Sequence, residues 1–486
     1  MGMIESLIKS LAPELPPVVH YTPSIRSFSA AQVNNLTESW TTNSAPINDV
    51  LTRQLNTLRA RSRDLAKNND YGRKFLSMVK CNVVGSNGVS LQIKAKRPDG
   101  TVDDFDSSAL EAAFADWGKK GNCDVTGKLS WRALQTLAIE TVAKDGECLI
   151  RKRRRGKYKF QLQLIDATKL DATHNVDQGK IRIRMGIELD AFNAPVAYHF
   201  LTSDTLTGYV MAGRRYERVP ASEVYHLFIV DEIDQLRGIP WMSTAAARLN
   251  MLGGYENAAL VASRNAAERV GFFISKDGTP PPLVDSEVDG EKFSTSAPGT
   301  YDTLPEGYDF KPFESDYPHT NYGDFVKAAL RGVAAGLGVA YHNLANDLEG
   351  VNFSSSRAGI LEERELWKLL QEWFIEELCA PVYTDWLRHA LDYTNTLDPL
   401  PANKFDKFNS AVWQGRRWAW VDPTKDIEAS VTAITNGLRS RGDVIREQGR
   451  DPEEVWTELE AEEARLKNLQ LSDANGQTNT APNTAN

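Results

Sequence analysis

The feature that most constrains this chain is a pair of helix-period segments, 241–268 and 323–337, set apart by a stretch of quite different character. The first follows LRGIP at 236–240, where Gly238 and Pro240 end strand-like text and proline suits a helix entrance. Ala245, Leu249, Leu252, Ala259 and Ala266 then recur as one stripe rich in small residues. Its length corresponds to ~40 Å at about 1.5 Å per residue. Gly253-Gly254 inside it costs about 1 kcal/mol each relative to alanine, and implies either close helix packing or a kink. In the second segment Val326, Leu330, Val333 and Leu337 step by four, three and four, while Lys327 and Arg331 form a charged stripe with Asp324 on a neighbouring face. Between them, 270–320 opens as a strand at GFFISKDG and then turns rich in Pro, Gly, Ser and acids. A compact β insertion and a flexible lid both fit it.

The remaining text predicts an α+β chain of several subdomains, as 486 residues require. Residues 1–45 read as an extended arm. A basic helical pattern covers 47–83 (Leu51, Leu55, Leu58, Leu65, Phe75, Leu76, Val79), and GSNG at 85–88 turns into the strand VSLQIKAK. Helices are expected at 106–117 and from Ser130 to Ala143. From there to about 230 the runs ECLIRKRRR, KFQLQLI, IRIRMGIEL, PVAYHFL and EVYHLFI read as short strands, so that 47–235 forms one α+β domain. The stretch 336–352 reads as an irregular loop. Ser354, Ser355 and Ser356 offer N-caps for a helix to about Glu377, another helix follows Pro381, 424–470 is helical with an acidic end, and the last residues are disordered.

Chemistry is harder to find. GNCDVTGK at 121–128 has one residue too many between its glycines for a phosphate loop, and Leu129 stands where Ser or Thr is required. The seven histidines are scattered, without HExxH or a helical pair, and His199 and His226 read as packed or hydrogen-bonded residues of strands. Neighbouring carboxylates such as Glu362-Glu363 point about 100° apart on a helix, which disfavours chelation by the pair. Cys81, Cys123, Cys148 and Cys379 show no CxxC spacing and suit a reducing compartment. No catalytic residue, metal site or cofactor is expected. No run of about 18 apolar residues predicts a membrane span, and no secretory signal is expected at the N-terminus. The net charge of −9 argues against a protein that coats DNA. The basic run RKRRRGKYK at 151–159 reads either as a nucleic-acid contact or as a hairpin whose cations are solvated or paired with acids.

Several blocks together resemble the lambda-type phage portal family. They are RSRDLAKNNDYGRKFLSMVKCNVVG at 61–85, DVTGKLSWRALQTLAIETVAKDGECLIRK with LQLIDATKLD, the stretch 218–267 around LRGIPWMSTAAARLNMLGGYENAALVASRNAA, GLGVAYHNLANDLEGVNFSSSRAGILEERELWKLLQ at 336–371, and 418–455. The likeness keeps the family's order over roughly 50–460 and is weak in 1–45, 275–318 and 395–412. It implies a portal fold: an extended arm (1–45), an α/β wing (46–240), a first stem helix (241–269), a small β-rich clip (270–320), a second stem helix (321–337), a tunnel loop (338–353), a wing-spanning helix with the wing remainder (354–423), a helical crown (424–472) and a disordered tail (473–486). It also implies a non-enzymatic ring, normally of twelve subunits, at one capsid vertex of the virion, assembled in the host cytoplasm. Such a ring conducts double-stranded DNA without sequence preference during packaging and ejection. It docks the terminase large subunit, the major capsid and scaffolding proteins, and head-completion or tail connector proteins. Another head–tail connector ring without a motor-docking role is the alternative, though connectors are usually shorter and lack a helix–insertion–helix stem. On this reading Lys327, Arg331, Asn343, Asn346 and Asn352 face the DNA channel, since phosphate contacts of this kind carry no sequence information. Lys327 and Arg331 could equally pair with acids of the adjacent subunit.

Overall fold

The computed structural model describes residues 41, 44–101, 103–179, 181–202, 215–268, 271–275, 286–288, 291–293, 308–312, 321–349, 353–393, 397, 400–418, 423–448, 450 and 452–468. The arm, apart from residues 41, 44 and 45, the tail and most of 270–320 lie outside them.

The basic N-terminal pattern folds as α1 (Ile47–Asn68) and α2 (Asp70–Val79), followed by a π turn at Lys80–Val84. Leu51, Leu55, Arg59, Ser62 and Leu65 form the buried stripe of α1, spaced four, four, three and three. Asn69 starts α2 by accepting the Gly72 N–H at 2.9 Å. After β1 (Ser90–Ile93) come α3 (Asp104–Trp117) and α4 (Trp131–Asp145). Ser130 caps α4, and Gly146 ends it with φ of 90°.

The strands then form two antiparallel sheets. β2 (Glu147–Arg153) lies between β3 (Gln161–Ile165) and β9 (Val224–Phe228). β4 (Val176–Gln178), β5 (Ile181–Arg184), β6 (Ile187–Leu189), β7 (Pro195–Leu201) and β8 (Tyr216–Pro220) follow one another in a meander. Here the structure corrects the reading of IRIRMGIEL as one run. Met185 and Gly186 both take positive φ, 49° and 83°, the backbone a two-residue hairpin turn needs, so the run folds back on itself as β5 and β6.

α5 (Ser243–Glu268) runs unbroken through Gly253-Gly254. Close packing among the described residues of the chain does not explain that pair. A Cβ on Gly254 would meet nothing within 4 Å, and one on Gly253 only Asn69 Nδ2 at 3.7 Å. β10 (Gly271–Ser275) pairs antiparallel with β13 (Tyr308–Pro312), and β11 (Ser286–Val288) with β12 (Glu291–Phe293). Then come α6 (Tyr322–Leu337), the short α7 (Tyr341–Ala345) inside what reads as an irregular loop, and α8 (Phe353–Phe374). The side chains of Ser354, Ser355 and Ser356 lie outside the described residues.

Pro381 does not start a separate helix. α8 passes through a π turn at Ile375–Cys379 directly into α9 (Ala380–Tyr393). A proline lacks an N–H and crowds the carbonyl four residues back. The wider turn, in which the Ala380 N–H reaches the Ile375 carbonyl, supplies the room. α10 (Phe405–Phe408) and β14 (Ala411–Gln414) follow, the latter antiparallel to β1. The stretch 424–470 divides into α11 (Pro423–Thr435), α12 (Arg441–Glu447) and α13 (Pro452–Asn468). Gly437 at φ 71° and Pro452 mark the breaks.

One apolar core joins most of these elements. At its centre the Phe114 ring lies 5.0–6.3 Å from Trp117, Trp131, Tyr383, Trp386 and Trp413, which fastens α9 and β14 onto α3 and α4. A smaller core of Leu149, Leu170, Ile187, Tyr198 and Val219 lies between the two sheets.

Candidate functional site

α5 and α6 pack closely because small residues meet there. Thr244 Oγ1 donates to the Gly336 carbonyl at 2.7 Å, and a Cβ on Gly332 would fall 1.7 Å from Arg248 Nη1. Leu330, Val333, Ala334 and Leu337 bury one side of α6, and Gly338, at φ 69°, ends the helix.

A neighbouring side of α6 meets the segment that follows it. Lys327 Nζ lies 2.6 Å from Glu349 Oε2 and 3.8 Å from Asp347 Oδ2, and the Glu349 hydrogen bond raises its pKa. Tyr341 donates its hydroxyl to Asp347 at 2.7 Å, and the Arg331 guanidinium stands 5.5 Å from the Tyr341 ring centre. Asn343 Nδ2 donates to Glu363 Oε2 at 2.5 Å. The same carboxylate accepts the Ala340 N–H at 3.3 Å and, through Oε1, the Trp367 indole N–H at 3.0 Å. Asn346 closes α7 in the left-handed conformation, φ 53°, and accepts from Lys74 Nζ at 2.9 Å.

Lys327, Arg331, Asn343 and Asn346 are therefore gathered around one segment, whereas Asn352 lies outside the described residues. The acids that Lys327 meets belong to its own chain. Behind the segment a cleft of about 450 Å³ reaches Lys74, Asn82, His342 and Trp418, while Val339 and Leu344 bury into the main core, so packing and polar bonds together hold the segment in place. Sequence reasoning missed Glu363. Its signal is a carboxylate on the apolar face of α8, four residues before a tryptophan.

Three cations of the basic hairpin 151–159 are paired with acids of the same chain. Arg151 meets Glu217 at 2.7 Å, Lys152 meets Asp385 at 2.5 Å and Lys157 meets Asp116 at 2.8 Å. Among the described residues no group of three His, Cys, Asp or Glu could hold a metal ion, and no helix is long and apolar enough to cross a membrane.

A second cluster, unforeseen from sequence, lies where the sheets meet the entrance to α5. Glu147, fully buried, accepts from Arg237 Nε at 2.8 Å, from Arg59 Nη2 at 2.8 Å and faces His226 Nε2 at 3.0 Å. Arg237 also donates to the carbonyls of Met185 and Leu170 at 2.8 and 3.0 Å. Beside it Gly146 and Gly238 touch: a Cβ on Gly238 would lie 2.0 Å from the Gly146 carbonyl oxygen.

Burial works to raise the Glu147 carboxyl, but the charge and hydrogen bonds of Arg237, the His226 hydrogen bond and the Arg59 charge hold it well below the usual range. Burial lowers His226, keeping it neutral despite Glu147, and the Arg237 and Arg59 charges act the same way. Both folded-state values lie below the unfolded ones, so the unfolded chain binds more protons and stability falls as pH falls. The His226 contribution is complete above about pH 6.5 and the Glu147 contribution above about pH 4.3. Urea midpoints measured at pH 7 and pH 5 should drop for the wild type and drop less for His226→Gln. Equal drops would remove His226 from this account.

The chain matches the model of the lambda family of phage portal proteins over residues 34–371. It is 34% identical over 475 residues to the probable portal protein of Halomonas phage phiHAP-1, covering 94% of this chain and 91% of that protein. It is 20% identical over 470 residues to portal protein B of Escherichia phage lambda, covering 86% of each. Among solved structures it is similar to a chain in the neck of an empty gene transfer agent particle, at 14% identity and a TM-score of 0.46, covering 82% of this chain and 94% of that one. The chain belongs to the lambda family of phage portal proteins, a family of virion structural proteins rather than of enzymes.

Proposed function

We propose that this portal protein closes into a ring of twelve copies at one capsid vertex, forming the conduit for double-stranded DNA in packaging and ejection. The ring is the seat for the terminase large subunit and, later, for head-completion and tail connector proteins. It meets the major capsid and scaffolding proteins during assembly. In this arrangement residues 46–240 and the remainder of 354–423 form the wing, α5 and α6 the stem, 270–320 the clip, 338–353 the tunnel loop and 424–472 the crown.

The observation that carries this reading is the stem pair itself. α5 and α6 meet across Thr244, Arg248, Gly332 and Gly336, while the paired strands β10 and β13 begin the insertion between them. Repeated around a ring, each exposed stem residue becomes a circle of like groups. Lys327, Arg331, Asn343, Asn346 and Asn352 supply the channel-facing polar groups. Arg331, exposed and without a carboxylate partner among the described residues, carries the phosphate contact best. Lys327, tied to Glu349, also fixes where the loop stands.

Electron microscopy of the purified chain should show a ring with a central hole. The Lys327→Glu/Arg331→Glu double variant should still assemble but package DNA at least ten-fold less well. Normal packaging by that variant would sink the channel assignment.

A further inference from the structure

Two loops of the α+β body carry large apolar side chains into solvent and hold them there. Phe192, in the turn between β6 and β7, and Ile233, in the turn after β9, are each 90% exposed, and Val230 is 61% exposed. Neither loop is slack. Asp190 Oδ1 accepts the N–H groups of Phe192 and Ala194, both at 2.8 Å, and Gln235 Oε1 accepts those of Asp231 and Glu232 at 2.8 and 3.0 Å.

Asn193 Nδ2 joins the loops through Asp234 Oδ1 at 3.3 Å. Both residues of this link have positive φ, 66° and 63°, which non-glycine residues keep only where their surroundings hold them. Each apolar residue immediately precedes one member of the link. Exposed side chains of this size, displayed in a fixed place, mark an interaction surface.

A complementary cleft lies near the other end of α1. Asn48, at its start, donates to the Asp234 carbonyl at 2.8 Å, whereas Lys67, at its end, lines the cleft. The two positions are ~28 Å apart along the helix at about 1.5 Å per residue. The cleft, about 460 Å³, lies between α1, α4 and β3, with Ala66, Leu137 and Leu164 among its apolar lining. Its three acids are already paired, Glu140 with Lys80 and Asp145 and Asp166 with Arg63, which leaves Lys67 and Lys144 as its unpaired charges among the described residues. That volume falls within the roughly 300–1,000 Å³ that accepts a drug-sized ligand. Lys67 and Lys144 have no ion pair among the described residues, and neither do Asp231 and Glu232 next to Ile233.

We propose that the Phe192/Ile233 knob of one subunit docks in the Ala66/Leu137/Leu164 cleft of the next copy, with Asp231 and Glu232 facing Lys67 and Lys144. Two different patches on one chain make a heterologous contact, the kind that repeats until a ring closes. The opposed charges choose a second copy as the occupant. This inference rests on the ring reading above.

The test uses the full chain, size-exclusion chromatography with light scattering, and electron microscopy. Phe192→Asp/Ile233→Asp and Leu137→Asp/Lys144→Glu should each remain folded by circular dichroism and run as single chains of 54.1 kDa. Mixed in equal amounts, they should form a dimer and nothing larger, because each retains one intact half of the contact. Asp231→Lys/Glu232→Lys should break the ring, and adding Lys67→Glu/Lys144→Glu to the same chain should restore it. Rings formed by the knob variant would overturn the docking and leave the ring reading standing, and so would a charge-swapped chain that stays monomeric. A wild-type chain that never forms rings would overturn the ring reading instead.

Discussion

Replacing Arg237 with alanine should destabilise the subunit by about 3–5 kcal/mol, the usual cost of leaving one member of a fully buried ion pair without its partner. Arg237 and Glu147 are both wholly shielded from water, and Arg59 is 1% exposed. With Arg237 gone, Glu147 keeps Arg59 and His226, but the Met185 and Leu170 carbonyls lose the donor that satisfies them. Urea unfolding of the variant reads this loss directly. Arg237→Lys is the informative second variant. It keeps the charge but cannot reach the carboxylate and two carbonyls at once, so it should recover only part of the stability. A midpoint for Arg237→Ala within error of the wild type would show that the cluster is not load-carrying.

The second large effect belongs to the glycine contact beside that cluster. Gly238→Ala places a Cβ 2.0 Å from the Gly146 carbonyl oxygen and 2.7 Å from Phe228 Cβ, and Gly146→Ala adds a φ of 90° to a 2.6 Å clash with the Gly238 carbonyl oxygen. The atoms in the way are largely backbone, so rotamer changes give no relief. Each substitution should reach or exceed the upper end of overpacking costs, about 3 kcal/mol, and appear as loss of soluble protein. Gly254→Ala is the matched control. Nothing lies within 4 Å of its Cβ, and inside α5 it should stabilise by about 1 kcal/mol. If Gly238→Ala and Gly254→Ala behave alike in solubility and thermal unfolding, the close approach carries no weight.

What could be read from the chain alone follows the range of the interactions involved. α5 and α6 were legible because their signals are local: a Gly–Pro break, a stripe of small residues, and a four-three-four spacing closed by Gly338. The strands from Glu147 to Phe228 were legible for the same reason, through β-branched and aromatic runs. The hairpin at Met185-Gly186 was not, since methionine in a left-handed turn carries no sequence signal. The π turn before Pro381 was hidden because proline ordinarily argues for a break, and the extra residue that accommodates it looks like any other.

In the candidate site, helical spacing put Lys327 and Arg331 on one stripe but could not reveal that Glu349 folds back onto Lys327. The Glu147 cluster escaped entirely. Its members stand 88 and 90 residues apart along the chain, and each alone reads as an ordinary charged residue of a helix, a strand or a turn.

The same separation orders events in synthesis. Glu147 has its full set of partners only once Arg237 has left the ribosome, some seconds after Glu147 itself at about 5–20 residues per second. Until then a body that closed early would enclose a carboxylate short of its main counter-charge. Completion of the cluster therefore follows the arrival of the segment that leads into α5. A body that has closed around Glu147 has, by the same stroke, already made the residues that lead into α5.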